Sequence, residues 1–284
     1  MRNLIVVLFA VLTLSASGRA AAQGEKDSLS PKKIALRDGS EIFGTIVRTD
    51  SAMVQFKTSS GIMMEIPRRE IKKIDTLSGE FVDGEYHRFD PNRTRLFFAP
   101  TARPLGAGQG YFSAYEIFFP FLAVGVSDFL TLAGGISLLP GADEQILYFA
   151  PKVTPLHLKA IDVSAGVLYL TSTGGNGDGV GIMYGVTTIG SPRASATIGL
   201  GWGFHGEDIS DQPIVMLGGE LQVSNSVKLI TENWIPPSSD VAMVSFGIRF
   251  FGEHLAADLG LIHPAGARME GFPFIPWIGF TYNF

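Results

Sequence analysis

The stretch RASATIGLGWGFH, residues 193–205, alternates two kinds of side chain along its whole length. In an extended strand, the large apolar residues Ile198, Leu200 and Trp202 share one face, and Gly199 and Gly201 lie on the other. A soluble sheet would carry many charged residues on the face opposite its core. A face of glycine, serine and threonine is instead typical of a crowded barrel interior, with the apolar side chains directed outward into lipid.

Two further stretches repeat this alternation. Residues 244–250 set Phe246 and its apolar neighbours against Ser245 and Arg249, and residues 180–186 follow the same scheme. By the same reasoning we expect the apolar sets of both stretches to face outward, including Tyr184 and Val186 in the second stretch.

The composition also favours strands over helices. The chain has 284 residues, a net charge of -5, 34 glycines, 21 phenylalanines and only 17% charged residues. The negative charge argues against a nucleic-acid partner. The absence of cysteine excludes disulfides and thiolate metal sites.

Residues 1–22 have the pattern of a cleaved secretory signal peptide. Arg2 precedes an apolar run over residues 4–14, and small residues at 20–22 follow it. That run is too short to span about 30 Å of hydrocarbon as a helix. Because no similar stretch near 20 residues follows, we expect any membrane insertion to be by strands.

A flexible linker is predicted over residues 23–31, followed by a small five-stranded module over residues 32–77. The turn dipeptides Asp38-Gly39 and Ser60-Gly61 separate its alternating segments. The predicted strands are 32–37, 41–48, 52–58, 61–66 and 70–75.

In this module, the pattern LRDGSEIFGTI resembles the first hairpin of SH3-like and Sm-like small barrels. The resemblance implies a small-barrel module, which we expect to lie in the periplasm. Its basic cluster, Arg68, Arg69, Lys72 and Lys73, is interpreted either as a solvated face or as a contact for anionic cell-wall polymer.

After a polar linker at residues 78–92, alternating segments separated by turns fill residues 93–284. Twelve such segments predict a twelve-stranded antiparallel transmembrane β-barrel in an all-β chain. They are 93–101, 109–126, 128–139, 144–155, 161–172, 179–189, 193–205, 213–224, 226–235, 241–252, 254–263 and 272–284.

The connections support this count, because transmembrane barrels have short periplasmic turns and longer external loops. Even-numbered connections such as GSPR and FGEH are short, whereas odd-numbered ones such as HGEDISDQ are longer and more polar. Segment 109–126 is the exception, because Pro120 interrupts it, and splitting it would give thirteen strands.

The chain ends in WIGFTYNF, and this ending resembles the last strand of bacterial outer-membrane barrels. In that class the last strand ends in an aromatic residue after alternating apolar positions, as do Ile278, Phe280, Tyr282 and Phe284 here. The resemblance implies that these four residues are an assembly signal read by the barrel-assembly machinery. Residues 90–284 also resemble a group of Bacteroidetes-type envelope barrels, through Asn-x-x-Arg, Phe-x-Pro and Gly-x-Gly-Tyr followed by Gly-Val-Ser-Asp, which implies a fold and no substrate.

Charged residues on the face opposite the apolar one are expected inside the barrel, either as a salt-bridged filling or as the lining of a water-filled channel. The candidates are Arg95, Glu116, Lys152, Asp162, Glu220, Glu232, Arg249 and Asp258, with Lys228 as a further candidate. The tryptophans at 202, 234 and 277 either form aromatic bands at the membrane surfaces or pack in the interior.

We expect no catalytic residues. The cluster of His205, Asp208 and Ser210 in FHGEDIS brings a base, an acid and a hydroxyl together, but it lies in a predicted outer loop. The segments HGED and STGGNGDG offer oxygen donors without the carboxylate spacing of a calcium loop, so no metal or cofactor is predicted.

The sequence therefore predicts an outer-membrane barrel of a Gram-negative-type bacterium, with a structural or small-solute channel role. Its expected partners are outer-membrane lipid, the barrel-assembly machinery and, through the small module, the cell wall. Two alternatives are a secreted soluble β-rich binding or scaffold protein and a barrel-embedded hydrolase.

Overall fold

The computed structural model describes residues 30–175, 179–237, 240–268 and 270–284. The predicted signal peptide and most of the predicted linker at 23–31 lie outside these residues. Two compact units divide the chain, Met1–Arg88 and Phe89–Phe284. Within the described ranges, no helix is long and apolar enough to cross a membrane.

The first unit contains a five-stranded antiparallel sheet in the order β4-β3-β2-β1-β5, close to the predicted strands. Glycines at 39 and 61 have positive φ in the two tight turns. Ile34, Val54 and Phe56 are fully buried and form its core with Ile66. The strands are β1 Lys32–Leu36, β2 Glu41–Thr49, β3 Met53–Thr58, β4 Met63–Pro67 and β5 Ile71–Thr76, with a 3-10 turn at Arg68–Glu70.

The region predicted as a linker at 78–92 is partly a hairpin. Strands β6 (Gly79–Val82) and β7 (Glu85–Arg88) pair antiparallel around Asp83-Gly84, both of which have positive φ. The Asp-Gly dipeptide is a strong hairpin signal, and the sequence prediction gave it too little weight beside the polar composition of the region.

The second unit is a closed antiparallel barrel of twelve strands, called the wall below. Strands β11 and β12 follow one another around Pro151 and fill one position, and the two-residue β16 lies off the main path. The wall strands are β8 Gly110–Tyr115, β9 Phe119–Ser127, β10 Leu130–Ile136, β11 Ile146–Phe149, β12 Lys152–His157, β13 Ile161–Ser172, β14 Val180–Gly190, β15 Ala194–His205, β17 Ile214–Ser224, β18 Val227–Ile235, β19 Ala242–Phe251, β20 Leu255–Ala265 and β21 Ile275–Asn283, and β16 is Asp208–Ile209.

The last strand, β21, pairs with β8 and closes the cylinder. Gly110 and Phe284 exchange both backbone hydrogen bonds, each at 2.9 Å. The chain-terminal aromatic residue thus completes the seam, and the backbone ladder of the wall has no free edge there.

The predicted count of twelve is correct, but two of the predicted strands are not. Residues 93–101 are not in the wall, and segment 109–126 forms both β8 and β9, which meet at a turn over residues 116–118. The two errors cancel in the total. The long and short connections therefore keep their alternation from β9 onward: 128–129, 158–160, 191–193, 225–226 and 252–254 are short.

The outer face of the wall is apolar on all sides. Each of the twelve strand positions exposes at least one large apolar side chain to the outside. Examples in wall order are Phe112, Leu122, Leu132, Phe149, Ile161, Ile189, Ile198, Leu221, Leu229, Phe246, Leu259 and Phe280.

One strand faces opposite to the prediction. On β14, Val186 is buried and Tyr184 packs against the interior cluster, whereas Gly185 is exposed. Val186 is the register partner of Gly199 on β15, and partners in an antiparallel pair share a face. A glycine on one strand leaves space for a large side chain on the next, which hydrophobicity within a single strand does not indicate.

The tryptophans divide between the two interpretations. Trp202 is on the outer face and exposed, whereas Trp234 and Trp277 are partly buried and pack against the interior cluster. The prediction of interior packing therefore holds for Trp234 and Trp277, and only Trp202 has the outward position that an aromatic band would require.

The seam gives a direct test of closure. Ser113 on β8 and Thr281 on β21 are register partners whose hydroxyl oxygens lie 2.7 Å apart. The double substitution Ser113→Cys and Thr281→Cys should therefore form a disulfide on mild oxidation, because the partners of a non-hydrogen-bonded pair are close enough for one. Loss of maleimide-reactive thiols in the unfolded, unreduced protein measures it.

The matched control is Ser113→Cys with Ser245→Cys, since Ser245 lies on β19 and is not adjacent to β8. Both thiols of the control should stay reactive. Two free thiols in the seam pair after oxidation would show an open sheet.

Candidate functional site

The interior of the wall is filled by residues 89–109, called the luminal segment below. A tight antiparallel turn shapes its centre, where Arg95 pairs with Pro100. The amide of Leu96 donates to the carbonyl of Ala99 at 2.8 Å, and Thr101 donates to Thr94 at 3.0 Å. The segment thus enters the barrel, turns back and leaves it before β8 begins.

Both ends of the luminal segment lie at the rim with the short connections. Asp90 contacts Lys228, the second residue of β18, which begins just after the connection 225–226. Arg103 donates to the carbonyl of Ser191 in the connection 191–193 at 2.7 Å. The carboxylate of Asp128, in the connection 128–129, accepts the amide of residue 107 at 3.2 Å.

Apolar packing holds the turn of the segment against the wall. Leu96, Phe97 and Ala99 are buried and cluster with wall residues, including Met216 and Ile230. A Cβ built on Gly218 would overlap Cδ1 of Leu96, and one on Gly260 would come within 3.2 Å of the ring of Phe97. Wall glycines at these two positions therefore make room for the segment.

A network of ion pairs joins the segment to the wall. The carboxylate of Asp258 on β20 forms ion pairs with the guanidinium groups of Arg95 at 2.7 Å and Arg249 at 2.6 Å. Arg249 also reaches Asp90 at 3.0 Å, and both Arg249 and Asp258 are fully buried. Removing one partner of such a group leaves an uncompensated buried charge, so the whole network is mutually dependent.

Glu220 on β17 extends this network. Its carboxylate forms ion pairs with Arg103 of the segment at 2.9 Å and with Lys228 at 3.0 Å. Lys228 in turn lies 2.9 Å from Asp90. Each carboxylate of the network therefore touches two cations, one or both of which come from the other part of the structure.

Two buried charges are held by neutral groups instead. The ammonium of Lys152 donates to the carbonyls of Thr101 at 2.9 Å and Arg103 at 2.8 Å. The carboxylate of Glu232 accepts the amides of Phe98 and Ala99, at 2.9 and 3.0 Å, and the indole N–H of Trp234. Hydrogen bonds to the backbone of the segment thus replace counter-charges here.

Seven of the eight predicted lumen charges are buried in the structure, and so is Lys228. They are Arg95, Lys152, Asp162, Glu220, Glu232, Arg249 and Asp258. Arg95, however, belongs to the luminal segment and not to a wall strand. Glu116 is a correction: it sits in the turn between β8 and β9 with φ of 47°, and its carboxylate accepts the amide of Ile278 at 2.9 Å.

The sequence prediction did not include Asp90 and Arg103. Asp90 lies in the region predicted as a linker, and Arg103 lies in a predicted loop. The only sequence signal for these two residues was a polar run of the Asn-x-x-Arg type followed by apolar residues. Such a run is equally typical of the start of a wall strand.

The remaining site candidates lie outside this network. His205 and Asp208 are register partners in the β15–β16 hairpin, and the Ser210 hydroxyl donates to the carbonyl of Gln212 at 2.9 Å. In the described residues, no hydrogen bond joins Ser210 to His205. Residues 176–178 of the glycine-rich loop lie outside the part of the chain that the structure describes. Within the described part, no group of three metal-ligating side chains converges.

The basic cluster of the first unit is partly occupied. Arg68 donates to the carbonyl of Asp50 and the hydroxyl of Thr49, both at 2.7 Å. Hydrogen bonds from the amides of Met53 and then Ala52 lower the pKa of Asp50. All four basic residues are exposed, and Arg69 and Lys73 form ion pairs with Glu70 at 3.3 Å and Asp75 at 2.7 Å.

No known family model matches the sequence, and no curated protein does. Several solved structures resemble it. A KdgM porin in complex with disordered oligogalacturonate is 6% identical, with a TM-score of 0.46, over 62% of this chain and 98% of that chain.

OmpT of Vibrio cholerae, an outer-membrane protein, is 11% identical with a TM-score of 0.32, over 90% of this chain and 95% of that one. A triple mutant of the Rhodopseudomonas blastica porin is 10% identical with a TM-score of 0.35, over 90% and 98%. Because all three TM-scores lie below 0.5, function must be inferred from the geometry of this chain.

The ion-pair network predicts a large effect of a single substitution. Asp258→Asn keeps the shape of the side chain but leaves Arg95 and Arg249 without their shared counter-charge. The expected loss is about 3–5 kcal/mol of unfolding free energy. The midpoint of urea unfolding, followed by tryptophan fluorescence, measures it.

Asp208→Asn is the control, since Asp208 is exposed in a long connection. Its unfolding free energy should stay within about 0.5 kcal/mol of the wild-type value. Equal midpoints for both variants would contradict a stabilising network.

Proposed function

We propose that this chain is an integral β-barrel protein of a bacterial outer membrane. The observation that carries the proposal is the division of side chains across the wall, with large apolar residues exposed on every strand position and the charged residues inside. Contiguous apolar surface of this extent is unfavourable in water and suits acyl chains. The partners that follow are outer-membrane lipid and the barrel-assembly machinery, the latter through the ending at Phe284.

We propose that the short connections face the periplasm and that the first unit is located in the periplasm. We propose a small SH3-like barrel for that unit, supported by its strand order and its shared apolar core. The exposed Arg69, Lys72 and Lys73 would then face the anionic cell wall. The Bacteroidetes-type grouping remains a proposal based on the motifs of residues 90–284.

Inside the membrane, the proposed role is that of a small-solute channel whose resting state is closed. A twelve-stranded cylinder is wider than the eight-stranded barrels that wall side chains fill. Here a separate piece of chain fills the excess width. Among the described residues, the backbone of that piece bonds to a wall strand only at its end, where Gly108 and Gln109 pair with Gly125 of β9. The rest of the piece can therefore shift while all wall pairings stay intact.

A structural anchor for the first unit is the second candidate. The observation that favours it is the saturation of the ion-pair network, in which Asp90, Glu220 and Asp258 each touch two cations. An anchor would need no opening of the lumen.

The membrane assignment predicts a labelling pattern. In lipid vesicles, Leu200→Cys on the outer face should react with a lipid-soluble maleimide and resist a charged one. Asp208→Cys, in a long connection, should react with the charged reagent. Comparable reaction of both positions with the charged reagent would indicate the soluble alternative.

The channel assignment predicts that loosening the luminal segment opens the barrel. Gly218→Val would displace Leu96, because a Cβ at position 218 already overlaps Cδ1 of this fully buried side chain. Planar-bilayer recordings should show rare openings of the wild type and at least several-fold more frequent openings of Gly218→Val.

Gly203→Val is the matched control, because a Cβ at Gly203 meets nothing closer than 3.9 Å. It should behave as the wild type. Flat traces for all three proteins, with folding verified by heat-modifiable gel migration, would support the anchor and contradict the channel.

A further inference from the structure

A cavity of about 80 Å³ lies between the luminal segment and the wall. The segment contributes Thr94, Arg95 and Phe98 to its lining, and the wall contributes Lys152 and Tyr184 among others. This volume is large enough for more than one water molecule, or for an ion with part of its hydration shell.

The charged residues that line the cavity are both cations, Arg95 and Lys152. No carboxylate belongs to the lining within the described part of the chain. The other polar lining groups carry hydroxyls that donate hydrogen bonds. They are Thr94, Tyr111, Tyr115, Thr131 and Tyr184.

Arg95, which lines this cavity, has one hydrogen-bond donor without an acceptor among the described residues. Its two terminal nitrogens bind Asp258, Thr281 and backbone carbonyls, but its Nε has no acceptor among the described residues, although the side chain is 3% exposed. A buried guanidinium N–H without an acceptor is costly.

Lys152 lacks a counter-charge at the same place. Its ammonium binds carbonyl oxygens of the segment and, within the described ranges, no carboxylate at ion-pair distance. In the ion-pair network beside the cavity, the carboxylates of Asp90, Glu220 and Asp258 contact four cations: Arg95, Arg103, Lys228 and Arg249. The buried carboxylates of Asp162 and Glu232 lie outside this network.

We propose that this cavity is a binding site for a small inorganic anion of halide size. The anion accepts hydrogen bonds from the Nε–H of Arg95 and from nearby hydroxyls. Its negative charge offsets the positive charge of Lys152. The apolar lining residues Phe98, Phe121 and Leu168 favour weakly hydrated anions. By binding both segment and wall, the anion stabilises the closed barrel. The site concerns the interior alone and does not depend on the membrane assignment.

Bromide is the probe, because its anomalous scattering identifies it in a crystal. Crystals of the full mature chain soaked in bromide should show an anomalous peak within hydrogen-bond distance of Arg95 Nε. A cavity that contains only water in the presence of bromide would overturn the proposal.

Thermal unfolding provides a test in solution. When bromide replaces gluconate at constant ionic strength, the unfolding midpoint should rise, because a ligand that binds only the folded state stabilises it. Gluconate is too large for the cavity. An unfolding midpoint that is the same in both salts would contradict the proposal.

Lys152→Met removes the charge and keeps much of the side-chain length, so the bromide-dependent shift should be lost. Lys159→Met, at an exposed turn position, should keep the full shift. If Lys152→Met retains the shift, the site is wrong. If Lys152→Met does not fold, Tyr184→Phe replaces it. The bromide concentration that gives half of the full shift in unfolding midpoint should then be at least several-fold higher than for the wild type. An unchanged concentration would contradict the site.

Discussion

The width of a closed cylinder of twelve strands is the constraint on which the rest of this structure depends. Wall side chains fill a barrel of eight strands, but here they leave a space that must hold water or protein. Residues 89–109 occupy that space. The glycines at 218 and 260, the ion pairs of Asp258 and the amides bound by Glu232 are all features of fitting a second piece of chain into the lumen.

This filling uses charge in a way that a wall alone would not. Cations of the segment meet carboxylates of the wall at Asp258 and Glu220, while Lys152 and Glu232 bind the segment's backbone. Ion pairs fix which side chains meet, and backbone contacts fix the depth of insertion. Ion pairs and backbone contacts together hold a short piece of chain that has little regular structure of its own.

The period-two pattern was sufficient to predict most of the wall, its strand number and the burial of its charges, because each wall strand has one face in a uniform environment. It failed where that condition fails. Residues 93–101 alternate because Arg95 and Leu96 contact different parts of the interior, so they look like a wall strand. The pattern also misassigned β14, where the register partner Gly199 decides the direction of Val186. Interactions between distant residues, such as Asp90 with Lys228, leave no local signal.

Both ends of the luminal segment leave the barrel at the same rim, as the contacts of Asp90 and Arg103 show. A loop inserted from one side crosses no other chain, so it is topologically unthreaded. It can enter after the cylinder has closed and can be withdrawn by tension on the preceding chain, with Asp90 the first group of the ion-pair network to detach. A mechanical pull on the chain that precedes Asp90 would therefore act directly on the residues that fill the lumen.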